Sequence, residues 1–274
     1  MTRLDAVAIR QSLDGATTAR LAKFEAFTEI DSTNSYLMQQ PGPPPGQVRV
    51  AVTDNQTNGR GRHGRTWQSP PGSGLCLSLA YTFAEQPANL PALTLAIGLG
   101  VIDALELVGV CDVRLKWPND LIAADGKLGG ILTETQSQAS GAITVVTGVG
   151  LNIDLGDGFD LKNKSSLERG VVDLARFAGR VPAVNELAGH LISGLVSTIS
   201  RYETQGFAGF QNEWRGRDWL LGREVTVNTP HAQVAGVGAG IAADGALLVD
   251  TGTGTCDRIT SGTILETGNR GLAE

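Results

Sequence analysis

Apolar residues recur at helical spacing most clearly over 182–204. There Val184, Leu187, Leu191, Leu195, Thr198, Ile199 and Tyr202 share one side, and Phe207, Phe210 and Trp214 extend it. A second helix is predicted over 91–109, opened by Pro91 at a tolerated early position. Residues 3–13 read as a short helix. Asp31-Ser32-Thr33-Asn34, a run of N-capping residues, predicts a helix start that continues through Tyr36 and Leu37. Period-two or continuous apolar runs predict strands at 24–30, 48–53, 75–83, 113–117, 131–135 and 143–150. In the run at 75–83, Leu75, Leu77, Leu79 and Tyr81 share one face. Asp125-Gly126 is a hairpin-turn signal, and Pro41 to Pro45 form a loop.

After Trp219 the pattern changes to short β-type runs separated by Gly, Asp and Pro. Residues 221–274 are therefore expected to form a small β-barrel or sandwich leaning on a larger domain, residues 1–220. Strands and helices mix there without strict βαβ alternation, which favours an α+β fold.

Hydrophobic residues make up 41% and charged residues 18% of the 274, so a core can be buried and a disordered chain is excluded. The net charge of −6 gives no whole-protein attraction for nucleic acid or anionic membrane, so a polyanion would need a local basic site. Cys76, Cys111 and Cys256 are too dispersed for a disulfide framework or a CxxC metal site, and suit a reducing cytoplasm. The longest apolar stretch, 90–110, contains Asp103 and Glu106 and reads as a buried helix rather than a membrane span. With no signal-peptide core at the N-terminus, a soluble cytoplasmic protein is expected.

Four short segments carry candidate chemistry. Gly59-Arg60-Gly61-Arg62-His63-Gly64-Arg65 puts three guanidiniums, suited to carboxylate or phosphate, on a backbone able to wrap a ligand. A mobile solvated loop or a nucleic-acid tract fits the same composition. In Lys116-Trp117-Pro118-Asn119-Asp120, Lys116 can meet a phosphate and Asp120 can hold Mg²⁺ with Asn119 beside it, although Pro-Asn-Asp is also ordinary turn chemistry. Lys127-Leu128-Gly129-Gly130 sets a lysine before bare backbone, or marks the end of a hairpin. Gly148-Val149-Gly150-Leu151-Asn152 places glycines inside an apolar strand, which suggests close approach or a bulge. No G-x-G-x-x-G follows, so a dinucleotide fold is rejected.

GRGRHGRTW, KWPND, KLGGIL and GVGLN, in this order, resemble the biotin–protein ligase family, as do Asp31-Ser32-Thr33-Asn34, Gln56 and the tail from Leu221. The resemblance runs from about residue 25 to 266. It implies a class II synthetase-like catalytic domain with a mixed β-sheet flanked by helices, and a small C-terminal SH3-like β-barrel. It implies activation of biotin by ATP to biotinyl-5′-AMP, then transfer to a lysine of a biotin carboxyl carrier domain. By resemblance, Ser32, Thr33, Asn34, Gln56, Gly59, Trp67, Gly129 and Gly130 serve biotin. Arg60, Gly61, Arg62 and Lys127 hold the reacting carboxylate and phosphate. Lys116, Asn119, Asp120 and Asn152 serve ATP, Asp120 also Mg²⁺. Arg62, Lys127 and Asp120 are the expected catalytic groups. The loop 57–65 is expected to order over the adenylate.

Some family members carry an N-terminal winged helix. Here 31 residues precede Ser32, which with the net charge leads to an expectation of no DNA-binding role and no membrane partner. The state is expected to be monomer or homodimer. A lipoate- or octanoate-protein ligase, and a non-catalytic biotin or nucleotide sensor, are the competing readings. Gln56 and the Ser-Thr-Asn run disfavour the first, because an acyl chain has no ureido group to satisfy them.

Overall fold

The computed structural model describes residues 4–137, 141–156 and 170–268. The chain opens with two short helices, α1 (Ala6–Gln11) and α2 (Gly15–Arg20), capped by Asp5 and Asp14, whose carboxylates accept backbone N–H bonds. Helix α1 falls within the helix expected over 3–13, and α2 is an additional helix beyond it. Strand β1 (Leu21–Phe27) follows, three residues earlier than predicted. Helix α3 (Thr33–Met38) starts on Ser32 as its N-cap, as read from the sequence.

The main sheet continues with β2 (Val48–Thr53) and β3 (Gly74–Phe83). After α4 (Leu93–Leu107) come β4 (Arg114–Lys116), β5 (Asp120–Ala123), β6 (Gly126–Ser137) and β7 (Ile143–Asn152). The strand order is β1-β2-β3-β7-β6-β5-β4; only β1 and β2 pair in parallel, so the sheet is mixed. Strand β5 was not foreseen. The β5–β6 turn is Ala124-Asp125, both with positive φ, so it sits one residue before the expected Asp125-Gly126.

The helices α5 (Leu174–Ala178), α6 (Val184–Gln205) and α7 (Gln211–Arg217) complete this layer. Helices α4 and α6 pack on each other and on β3 and β6. Gly100 and Gly194 allow their close contact: a Cβ on Gly194 would lie 2.8 Å from the Gly100 carbonyl oxygen. The segment Leu90–Leu107 has the length and hydropathy of a membrane span, but 72% of it is buried inside the protein.

Strand β3 shows how the two sheet faces differ. Leu75, Leu77, Leu79, Tyr81 and Phe83 enter the main core under α4 and α6. The alternate residues Cys76, Ser78, Ala80 and Thr82 are buried too, on the opposite face. There Ala80 joins Leu37, Ala51 and Val146 in a second cluster beneath α3. The sheet is thus covered on both sides, and the second face is where the polar site forms.

The C-terminal strands are β8 (Glu224–Asn228), β9 (Gln233–Ile241), β10 (Leu247–Asp250), β11 (Cys256–Ile259) and β12 (Thr263–Gly268). They form an antiparallel five-stranded sheet ordered β11-β10-β9-β8-β12. Among the described residues its end strands do not pair, so the expected barrel is an open, SH3-like sheet rather than a closed one. Its apolar residues Val225, Val227, Leu247, Val249, Ile259 and Ile264 belong to the same core as the larger sheet.

Candidate active site

The site is built on the α3 face of β3, β6 and β7. Capping by Ser32 fixes the first turn of α3: its hydroxyl accepts from Ser35 N at 3.3 Å. This turn buries Thr33 and Asn34 against the sheet. Gln56 reaches the same place; its Oε1 accepts from Thr33 N at 2.8 Å and from the Thr33 hydroxyl at 3.2 Å. Ser78 lies between Thr33 Oγ1 (2.7 Å) and Asn34 Oδ1 (2.6 Å) and can donate to either. Asn34 in turn donates to Leu132 O at 3.2 Å and to Glu134 Oε2 at 3.1 Å. The result is a compact cluster offering both donors and acceptors.

Glycines make room for it. A Cβ on Gly148 would meet Asn34 Oδ1 at 2.3 Å, and one on Gly150 would meet Trp67 Cε2 at 2.6 Å. Gly130 pairs with Gly150 across β6 and β7, and Leu132 with Gly148. Trp67 therefore lies on a strip of bare backbone beside Asn34.

The arginine segment is a hairpin. Gly61 N donates to Arg65 O at 2.7 Å, Trp67 N to Gly59 O at 2.9 Å, and Arg60 bridges Thr66. A Cβ on Gly59 would strike Trp67 O at 2.3 Å, so close packing of the hairpin's two arms requires glycine there. Arg60 forms an ion pair with Glu134 at 2.8 Å. Arg62 reaches Asn119 Oδ1 at 3.4 Å. Burial lowers its guanidinium pKa from the usual value, with Asp120 opposing and Arg65 adding to the effect. Lys127 Nζ lies 2.6 Å from Asp120 Oδ1 and 5.8 Å from the Trp67 ring centroid.

These groups line one cavity of about 560 Å³, partly walled by Gly262, Thr263 and Ile264 of the C-terminal sheet. Arg62, Lys116 and Lys127 bring cationic side chains to the lining from the hairpin, β4 and β6, while Arg60 reaches toward the polar cluster, sharing Glu134 with Asn34. Among the described residues, Asp120 is the single carboxylate on the lining. No cluster of three or more His, Cys, Asp or Glu residues among those described could hold a metal. A metal carried in by phosphates needs one or two protein carboxylates, and Asp120 fits that lesser demand.

A model of the biotin/lipoate A/B protein ligase family matches residues 26–152, and one of the biotin protein ligase C-terminal domain matches 220–265. The chain is 33% identical over 250 residues to the bifunctional ligase/repressor BirA of Salmonella typhimurium, covering 90% of this chain and 73% of that protein. It is 32% identical over 257 residues to the biotin–[acetyl-CoA-carboxylase] ligase of Mycobacterium tuberculosis, covering 91% of each. The chain belongs to the biotin protein ligase family. The fold agrees: a biotin protein ligase from Aquifex aeolicus, solved with biotin and ATP, matches with a TM-score of 0.75 at 24% identity, over 90% of this chain and 99% of that one.

Within this biotin protein ligase fold, the residues singled out from the sequence divide into two groups. Ser32, Thr33, Asn34, Gln56, Arg60, Gly61, Arg62, Trp67, Lys116, Asn119, Asp120, Lys127, Gly130 and Asn152 all line the cavity. Two glycines do not. Gly59 is fixed by the hairpin, and a Cβ on Gly129 would meet Gly150 O at 2.6 Å and the side chains of Leu151 and Leu121, so close packing requires glycine at both. Asn119 and Asn152 line the cavity with their amide groups already engaged. Asn119 Nδ2 donates to Ile131 O at 2.9 Å; Asn152 Nδ2 donates to Lys127 O at 3.2 Å and Val172 O at 3.1 Å. Asn152 thereby holds the backbone that presents Lys127. Buried Lys116 stands over the Trp219 ring at 5.6 Å. Ser78, Glu134 and Thr263 were missed; each is a polar residue inside a strand run, with no local sequence signal.

Proposed function

We propose that this protein is an ATP-dependent biotin–protein ligase. The observation that carries the reading is one cavity lined both by a fixed donor–acceptor cluster and by Arg62, Lys127 and Asp120. Thr33, Asn34, Gln56 and Ser78 suit a ureido ring, which presents N–H donors and a carbonyl acceptor. A plain acyl chain would leave these groups unpaired, which disfavours lipoate or octanoate as the acid. Trp67 supplies an apolar wall for the fused rings and valeryl chain.

In the first half-reaction a biotin carboxylate oxygen attacks the α-phosphorus of ATP. A P–O bond forms and pyrophosphate leaves with the electron pair of the broken bond. Two anions must approach, and the positive charges of Arg60, Arg62 and Lys127 offset that repulsion and stabilise the charge that develops. Mg²⁺ bound with ATP would be held by Asp120 and would neutralise phosphate charge. Lys116 serves the phosphates, and Asn152 keeps Lys127 in place. In the second half-reaction the amine of an acceptor lysine attacks the acyl carbon, AMP leaves, and the amine proton is lost. We assign its uptake to Asp120.

The acceptor is a carrier protein's lysine, in a biotin carboxyl carrier domain. Residues 1–220 form the catalytic domain and 221–274 the SH3-like one, whose residues 262–264 reach the site. A cytoplasmic enzyme with no DNA-binding role fits the three dispersed thiols and the net charge of −6. Incubation with biotin, ATP, Mg²⁺ and a purified carrier domain tests the reading. Mass spectrometry should find one biotinyl group on one lysine of the carrier; an unchanged mass with biotin, and a lipoyl group added when lipoate replaces it, would put the acyl-ligase reading in its place.

A further inference from the structure

A second cavity, of about 750 Å³, follows the seam between α4 and α6. Among the described residues, none lines both it and the active-site cavity. Near the start of α6 it is bordered by the α1–α2 turn, where Asp14 N donates to Ser193 Oγ at 3.2 Å. Near the end of α6 it is bordered by α7, where Arg201 pairs with Glu213 at 2.7 Å. Its lining on α6 runs from Glu186 to Arg201, about 22 Å at the α-helical rise. It is therefore a groove rather than a bowl. The small residues Gly100, Ala104, Gly194 and Ser197 form its floor, where the two helices come closest.

The charge along this groove is one-sided. Four carboxylates, on Asp14, Asp103, Glu186 and Glu213, face Arg201 and His190. Glu213 already holds Arg201, and Glu186 lies 3.6 Å from His190. The Asp14 carboxylate caps α2. Asp103 is left over: among the described residues its carboxylate makes no hydrogen bond and no ion pair. The cations nearest it, Arg201 and Arg217, are taken by Glu213 and Glu106. Its pKa is raised from the usual value by burial first, then by repulsion from Glu106 and Glu213.

The second observation is independent of charge. Thr198 is only 7% exposed and lies on the groove floor, where a Cβ on Gly100 would meet its hydroxyl oxygen at 2.3 Å. Among the described residues that hydroxyl has no hydrogen-bond partner. A buried hydroxyl normally has one, so the groove floor is short of a donor as its rim is short of a cation. Asp103 stands three residues along α4 from Gly100, on the same face of the helix. An ammonium group supplies both needs, since it carries positive charge and three N–H donors. A metal ion does not fit, because no three carboxylate, imidazole or thiol groups converge among the described residues.

We propose that the α4–α6 groove is a binding site for a linear polyamine. One ammonium meets Asp103 and Thr198, and another reaches the carboxylates of Asp14 and Glu186 further along α6. The methylene segments between them lie on the apolar stretches supplied by Leu99, Leu107 and Phe210. The length of the groove selects an extended polycation over a compact monoamine. The site does not depend on the biotin ligase reading.

Calorimetric titration of the full chain with spermidine, at low salt, tests the proposal. One spermidine should bind per chain. D103N keeps the side chain's size and removes its charge, and should weaken binding by ~10-fold, as expected for the loss of a charge-assisted hydrogen bond. T198V keeps the shape and removes the hydroxyl, and should weaken it by ~5-fold. D257N makes the same charge change on an exposed residue of β11 and should leave the affinity unaltered. Absence of binding, or unchanged affinity in either groove variant, overturns the proposal. Equal weakening by D103N and D257N overturns it too, because binding would then be general attraction to a chain of net charge −6.

Discussion

Lys127 is the residue on which the chemistry turns. It is the cation that the Asn152 amide presents to the cavity and that Asp120 holds at 2.6 Å. Lys127→Ala should cut the rate of adenylate formation by ~10²–10³-fold, the usual cost of removing one preorganised charge at a developing anion. Biotin affinity should fall by much less than the rate, because the head-group cluster that holds the ureido ring is left intact. An unchanged rate of pyrophosphate exchange in K127A would remove Lys127 from the reaction. Ser78 makes the opposite prediction. It is fully buried and serves two partners, so Ser78→Ala leaves Thr33 and Asn34 short of a bond. Biotin should bind ~10-fold more weakly with the KM for ATP unchanged, in line with about 1–2 kcal/mol for a lost buried hydrogen bond. The first residue was legible in the sequence because a lysine before two glycines is an unusual constellation. Ser78 was not, because a serine in a leucine-rich strand is indistinguishable from any solvent-facing alternation until α3 is seen to cover that face.

At the scale of elements, the glycine-bearing strands were read correctly as places of close approach, but the sequence could not say what approaches. In β7 it is Asn34 over Gly148 and the Trp67 indole over Gly150; in β6 one glycine serves the cavity and its neighbour the core. Most strands and the start of α3 were legible because capping residues and apolar runs act locally, whereas α2 and the four-residue β5 were not. The register of the β5–β6 turn and the open edge of the second sheet depend on partners distant in sequence, and were not.

The joint after α7 carries a titration prediction. Asp218 is buried, its Oδ1 accepts from Leu220 N at 2.9 Å, and its Oδ2 and the nearby Trp214 Nε1 fall short of hydrogen-bond geometry. Burial pushes its pKa up from 3.8 to about 6. The folded state therefore keeps a proton that the unfolded state releases, and stability falls as pH rises through this window, by up to ~3 kcal/mol. Asp218→Asn, which can still accept from Leu220, should raise the melting temperature at pH 8 and leave it nearly unchanged at pH 4. An equal shift at both values would rule out the titration.

For the molecule as a whole, the two sheets behave as one body. Trp117 Nε1 donates to Gly245 O at 3.1 Å and Gln211 Nε2 to Ile241 O at 2.8 Å, and a single apolar core runs through both. The C-terminal sheet is too small to hold itself together on apolar burial alone. Calorimetry should show one cooperative transition; a separate, lower transition for residues 221–274 would contradict the shared core.

The central claim is that the cavity activates biotin with ATP. Biotin-dependent exchange of labelled pyrophosphate into ATP, with lipoate and octanoate run in parallel, tests it most directly. Exchange with biotin alone is the expected result. Folded protein that exchanges with none of the three acids in the presence of Mg²⁺ would contradict it, and would leave the cavity as a binding site without chemistry.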